Sequence, residues 1–545
     1  MQQITTYIFI FSTIVIIGHI FSQSIIPISL ILVISGMFLS LIPNIPTITL
    51  NPDLVLNVFL PILIYQISSF SSWIDVKKNI RPISLLSIGH VLFITVLVAW
   101  VIHTLIPQLG WPLAFVLGAI ISPPDDVAIV SIAEKIKLPK RIITILVGEG
   151  LLNDAMALIL FKFALIASVT QQFTPLNAIS NFCVLIVGET LYGIVLGNLI
   201  GKLRLRIRHT TLHMMASLLT PFLAYVPSLM MGGSGVLATA ITGLVIGHRY
   251  SMRFSPEFRL VSRSLWPMLA FGIDCVIFLL VGLDMKSILN MISPIPFNSL
   301  VLYSMAVILT IILGRFFWVY VAVVFLPRFL FPFITKKDPY PPWQYPFIIS
   351  WAGMRGGISL AAALAVPLLP NVVEGVNPRV LLIFLVFCVI TVTFVVQGLT
   401  LPWLIKKIGV QKLGQYETYS EHLLELYARK KMATAVIYWL KEYKNQVKDN
   451  SKLLDQIKIY LLEYKMIKSY LKERIEIHDS NTARDSIISK HDEQEEVERV
   501  NFLLSQIIEV ERSTLMALWE KEKISFDTRN RLIEKLDHHV KHLPG

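Results

Sequence analysis

Apolar residues run in long blocks through most of the first 405 positions, and polar residues gather in the short breaks between them. A bilayer core about 30 Å thick takes roughly 17 to 25 apolar residues per helix. Thirteen blocks reach that scale, centred on 4–22, 25–42, 53–71, 82–106, 111–133, 140–170, 176–203, 210–228, 231–248, 264–283, 297–326, 344–368 and 378–405. The first has no basic segment before it and no small-residue cleavage site after it, so it is expected to span the membrane and not to act as a signal peptide. After residue 405 the pattern changes. Segments 422–441, 452–477 and 495–523 place apolar residues at helical spacing among mixed charges, and 478–494 reads as a polar linker. The pattern predicts an all-α membrane protein in two parts: a transmembrane domain over 1–405 and a cytoplasmic helical domain, possible site of regulation, over 406–545.

Composition narrows this further. Of the residues, 54% are apolar and 15% charged, where a soluble domain carries charge on about a quarter. A soluble enzyme, a disordered chain and a disulfide scaffold are excluded. The net charge of +12 divides into +10 before residue 406 and +2 after it. The basic residues of the first part occupy alternate loops, for example Lys77, Lys78 and Arg81, then Arg204, Arg206 and Arg208, then Lys406 and Lys407. Lys and Arg collect on the cytoplasmic side, so the N-terminus is expected outside and the C-terminus inside, which requires an odd number of spans. Scattered in this way the basic excess makes no stripe for nucleic acid. Cys183, Cys275 and Cys388 all lie in apolar runs and read as small core residues.

Ionisable groups at membrane depth cost about 2.5 to 3.5 kcal/mol each on insertion scales, which makes them functional candidates. The fifth block holds Pro123, Pro124, Asp125 and Asp126 in mid-membrane. Adjacent prolines remove two backbone donors and push the preceding residue out of the helical region, so the helix must break there. Such a break exposes carbonyls able to hold a cation, and free amides where carboxylates are favoured. A structural kink capped by two aspartates is the plainer alternative. The sixth block carries Glu149, Asn153 and Asp154 in an apolar helix, with Glu149 and Asn153 on one face and Gly150 a turn before Asp154. Away from water a carboxylate is less strongly held in its charged form, so it can take either a proton or a cation. In the twelfth block Gly353, Gly356 and Gly357 surround Arg355 and predict a second break. Arg355 stays charged, and its expected roles are to pair with an acid such as Glu149 and to neutralise a half-helix C-terminus. Blocks five and twelve are seven apart and run in opposite directions, the signature of an inverted repeat of spans one to six and eight to thirteen. His90, Lys162, Glu189, Asp274 and Arg315 are read as structural, with Glu189 and Arg315 able to form a charge pair.

These motifs resemble the sodium/proton exchanger branch of the monovalent cation:proton antiporters, and its bacterial NhaP-like members in particular. The likeness is carried by Leu60-Pro-Ile-Leu-Ile-Tyr-Gln, Ser122-Pro-Pro-Asp-Asp-Val-Ala, Gly148-Glu-Gly-Leu-Leu-Asn-Asp-Ala and Gly353-Met-Arg-Gly-Gly-Ile-Ser-Leu-Ala, in family order. Residues 512–543 resemble the tail of bacterial members more weakly. The resemblance implies an antiporter in the inner cell membrane, a homodimer, with no cofactor and with Na⁺, or Li⁺ or K⁺, and H⁺ as cargo in pH homeostasis. It implies that Asp154 binds ion and proton with Asn153 as its neighbour, that Asp125 is the acid of the unwound crossing, and that Glu149 and Arg355 form a stabilising ion pair. Asn-Asp in place of Asp-Asp goes with electroneutral exchange in this family, and one carboxylate trading one proton for one monovalent cation moves no net charge. Three positions depart from the family by losing an oxygen ligand or a charge, Gln66 for Glu, Gly150 for Ser and Pro124 for Thr, while Asp126, for Ala or Pro, adds a carboxylate that is expected to compensate as an ion ligand. They bear on which cation is carried. A second reading is that they disable exchange and leave a membrane sensor or scaffold working through the tail, whose ligand the residues do not identify. An intramembrane aspartyl protease is disfavoured, because the sequence has no Gly-x-Gly-Asp motif.

Overall fold

The structure is a computed structural model that describes residues 2–21, 27–42, 51–125, 138–170, 175–292, 294–330, 340–368, 373, 376–446 and 451–481. The chain divides into two compact units, Met1–Thr418 and Tyr419–Gly545. The first is built of α1 (Gln2–Ile20), α2 (Ile28–Leu41), α3 (Pro52–Phe70), α4 (Ile80–Leu105), α5 (Gly110–Ile121), α6 (Lys140–Thr170), α7 (Pro175–Leu205), α8 (Thr210–Met230), α9 (Val236–Arg249), α10 (Pro256–Leu283), α11 (Phe297–Leu330), α12 (Gln344–Trp351), α13 (Gly357–Leu364) and α14 (Pro378–Ile408). Among the described residues eight helices are long and apolar enough to cross a membrane, and Ile8–Ile20, Ile28–Leu41, Pro107–Ile121 and Val236–Arg249 are shorter apolar helices. The twelfth apolar block is two short helices, α12 and α13, with non-helical chain between them.

Local chemistry sets several boundaries. α3, α10 and α14 each start with proline at the first turn behind a capping side chain: Asn51 accepts from Asp53 N at 2.9 Å, Ser255 from Phe258 N at 3.3 Å and Asn377 from Arg379 N at 3.0 Å. Proline costs nothing there because that N–H has no helical partner. α14 stops at Gly409, whose φ of 77° suits glycine. Inside α4, Leu85–His90 is π-helical, and the Trp318 Nε1 of α11 donates to the carbonyl of Leu85 at 2.9 Å. The indole thereby satisfies a carbonyl in the widened turn.

The core lies where α4, α5, α10 and α14 meet, with Ile94, Val98, Leu117, Leu279, Leu385 and Ile390 fully buried. α7 instead exposes Val184, Val187, Leu191, Val195 and Leu199 on one stripe, a surface that acyl chains cover in a bilayer. α2 and α10 approach closely because Gly36 faces Gly282: a Cβ at either would run into the opposite backbone. Gly36→Val is expected to lower the thermal midpoint of the purified protein, at a cost of about 1–3 kcal/mol for overpacking. Gly272→Ala, on a side of α10 with nothing within 4 Å, should leave it unchanged, and equal midpoints would refute the close packing.

The second unit is described over two helices. One, α15 (Val410–Gln446), begins in the first unit; the other is α16 (Ser451–Asn481). Leu426, Leu471 and Ile475 are buried together. α16 runs past the expected helix end at 477, since Ile477, His478 and Asp479 continue it without a breaking residue. The expected helix 495–523 and the rest of the polar linker lie outside the described residues.

Candidate functional site

The site forms where two interruptions of helical structure meet. α5 ends at Ile121; Ser122 still has helical φ and ψ of −70° and −37°, and the helix stops there because Pro123 and Pro124 bring no N–H to carry the ladder on. Ser122 turns its hydroxyl back to the carbonyl of Ala119 at 3.0 Å. The other interruption spans Ala352 to Gly356, between α12 and α13. The N–H of Asp125 donates to the carbonyl of Met354 at 2.7 Å, so each interruption supplies the partner that the other has lost from its helix. Gly356 makes this approach possible, because a Cβ there would fall on the carboxylate of Asp125. Gly353 likewise makes room for the side chain of Arg315, while Gly357 is the first residue of α13 and not part of the break.

α6 brings its polar residues to this crossing. Asn153 is buried, and its Nδ2 donates to the carbonyl of Pro124 at 2.9 Å. Its neighbour Asp154, with Asp125, borders a cavity of about 50 Å³ that Pro123, Pro124, Gly150 and Asp274 also line. Asp154, Pro123, Ile358 and Ser359 border a second cavity, of about 20 Å³, as well. Asp154 therefore borders two adjoining spaces that share Pro123, Ile358 and Ser359, one rich in carboxylates and one walled mainly by apolar residues such as Ala157 and Phe161. Asp126 lies outside the described residues.

The expected pairing of Glu149 with Arg355 is corrected by the geometry. Both oxygens of Glu149 accept from Arg315, at 2.7 and 2.9 Å, and both side chains are 1% exposed. Arg315 Nε also donates to the carbonyl of Ile349 at 3.0 Å, which holds the guanidinium plane for a two-pronged contact. His90 Nδ1 stands 4.0 Å from Glu149. Arg355 is fully buried and donates instead to the carbonyl of Gly353 at 3.1 Å, while its backbone N–H reaches Thr393 Oγ1 at 3.2 Å. A cation within the non-helical stretch thus binds a carbonyl of the stretch itself, that of Gly353. The alternative pair of Glu189 with Arg315 is excluded by the same contacts. Glu189 accepts from the N–H groups of Ser234, Gly235 and Ala238 at the start of α9, where a carboxylate is favoured by the helix dipole, and Lys162 donates to the carbonyl of Gly233.

Two residues read as structural therefore belong here: Arg315, as the partner of Glu149, and Asp274, as a third carboxylate on the cavity wall. Their signal was a charge inside an apolar span. Gln66 is not among the residues that border either cavity.

Comparison with known proteins agrees with this architecture. The transmembrane sodium/hydrogen exchanger family matches residues 8–407. A Na⁺/H⁺ exchanger of Mycobacterium tuberculosis is 32% identical over 69% of this chain and 69% of its own length. A sodium, potassium, lithium and rubidium/H⁺ antiporter of Bacillus subtilis is 27% identical over 98% of this chain and 78% of its own. The Na⁺/H⁺ antiporter ApNhaP of Aphanothece halophytica is 30% identical over 73% and 72%. Among solved structures, the sodium proton antiporter MjNhaP1 of Methanocaldococcus jannaschii shares the fold, with a TM-score of 0.57, 18% identity, and coverage of 75% of this chain and 99% of that one.

Proposed function

Because the chain belongs to the sodium/hydrogen exchanger family, we propose that it exchanges a monovalent cation for a proton across the cell membrane, with both competing for Asp154. The observation that carries this is the position of Asp154 on two adjoining cavities, beside an Asn153 tied to the chain break at Pro124. A carboxylate beside broken helices is where secondary transporters hold their ion while one bundle rocks against the other. Asn153 adds no charge, and Glu149 is neutralised by Arg315, so one proton leaves as one cation enters and exchange is electroneutral. Asp125 and Asp274 share the larger cavity with Asp154 and draw a cation into it.

Gly150 and Pro124 line that cavity without a side-chain oxygen. A cage with fewer fixed ligands discriminates less by size, which supports transport of K⁺ or Li⁺ besides Na⁺. In this proposal α5, α6, α12, α13 and α14 move as a bundle against a scaffold that dimerises, the halves are an inverted repeat across thirteen spans, and the termini lie outside and in the cytoplasm respectively.

The test is proton flux in inside-out vesicles that contain the full chain, started by Na⁺, Li⁺ or K⁺. Flux with at least one cation, unchanged when the membrane potential is clamped, is the expected result. Absence of flux with all three in vesicles that hold the folded protein would overturn antiport, and a rate that follows the potential would overturn electroneutrality.

A further inference from the structure

A second cavity system lies away from the transport site and shares none of the residues that line it. It measures about 200 Å³, room for several waters at roughly 30 Å³ each. Its walls come from α3, α7, α8, α9 and α10, at the end of the bundle where α7 gives way to α8 and α9 to α10. Three guanidinium groups border it, those of Arg204, Arg259 and Arg263, and among the described residues no carboxylate does.

Arg204 is the unusual member. It is 2% exposed, yet its contacts are neutral: Nη1 donates to the hydroxyl of Tyr65 at 2.9 Å, and the rings of Phe254 and Phe258 lie 4.8 and 5.2 Å from its Cζ. Its Nε has no acceptor among the described residues. A buried guanidinium is ordinarily paired with an anion, because loss of water is costly for the charge. Aromatic faces compensate only in part. Arg259 is held toward the cavity by bonds from Nη1 to the carbonyls of Met252 and Phe254, at 2.9 and 3.1 Å, and Arg263 is exposed at the rim. Ser217 Oγ accepts from Trp266 Nε1 at 3.3 Å, which leaves its own O–H to donate, and Ser262 adds a further hydroxyl.

We propose that this cavity binds a phosphate group, held between Arg204, Arg259 and Arg263 and the hydroxyls of Ser217 and Ser262. Arginine forks match the oxygens of phosphate two at a time, and charge-assisted bonds of this kind are the strong ones. The same chemistry serves a free phosphate ion or the headgroup of an anionic phospholipid, and basic pockets between helices near a membrane surface suit the latter.

The experiment uses the purified full chain in detergent, with N-methylglucamine as the sole cation so that the transport site stays unloaded. Thermal midpoints are followed against inorganic phosphate at constant ionic strength in chloride, and separately against added phosphatidylglycerol or phosphatidylcholine. A bound ligand raises the midpoint by mass action. A saturable rise with phosphate identifies a soluble ligand, and one with phosphatidylglycerol alone identifies the headgroup. Phosphatidylcholine and chloride should do neither. Arg263→Gln and Arg259→Gln should each raise the half-saturating concentration roughly tenfold or more. No saturable response to either phosphate source, or a response unchanged in both variants, overturns the proposal.

Discussion

Arg315→Met is expected to destabilise the protein by about 3–5 kcal/mol, the usual result of removing one partner from a buried ion pair. Glu149 and Arg315 are 1% exposed and joined by two bonds of 2.7 and 2.9 Å. After the substitution the carboxylate of Glu149 is left buried without its cation, with His90 Nδ1 4.0 Å away. The large cost comes from that orphaned carboxylate more than from the lost attraction, since replacing both partners by apolar groups is often neutral or stabilising. Glu149→Met combined with Arg315→Met should therefore recover much of the midpoint lost by Arg315→Met alone. Thermal midpoints of the three proteins in one detergent check this. A single variant as stable as the parent, or a double variant no better than the single, would refute the orphaned-charge account.

Asp154→Asn is expected to reduce cation-driven proton flux to that of vesicles without the protein. The amide keeps the shape of the side chain and its place on the two adjoining cavities, but it neither binds a proton at physiological pH nor offers a negative charge to a cation. Both halves of the proposed exchange are lost together. The same vesicles should contain folded protein at the parental level, because Asp154 is half-buried and the hydrogen bond from Asn153 to Pro124 is untouched. Measured flux at the parental rate would remove Asp154 from the ion path and leave Asp125 and Asp274, on the same cavity, as the groups to examine.

Much of this architecture is legible along the chain. Apolar runs long enough for a bilayer announce the helices, and Ser122 followed by two prolines announces the end of α5. The glycines around Arg355 mark the gap between α12 and α13. Asp125, Asn153 and Asp154 stand out because each is polar where the spacing demands apolar residues. What could not be read is partnership. Glu149 and Arg315 are 166 residues apart, and both Arg315 and Arg355 are arginines in apolar blocks. Nothing in the pattern says which of them reaches the acid.

The sequence by itself determined that the chain is helical and built for a membrane, where the helices break, and which few charges have to be accommodated. These follow from short-range rules: the pitch of a helix, the missing donor of proline, the cost of a charge without water. Only the tertiary structure decided that Glu149 goes to Arg315, that Arg355 turns to the carbonyl of Gly353 in its own non-helical stretch, that Asp274 joins Asp125 and Asp154, and that five helices leave three arginines around one cavity. Periodicity specifies the face on which a side chain emerges from its own helix. The neighbour it meets depends on how helices distant in the chain pack in register, through contacts such as that of Gly36 with Gly282, and no local rule contains that information.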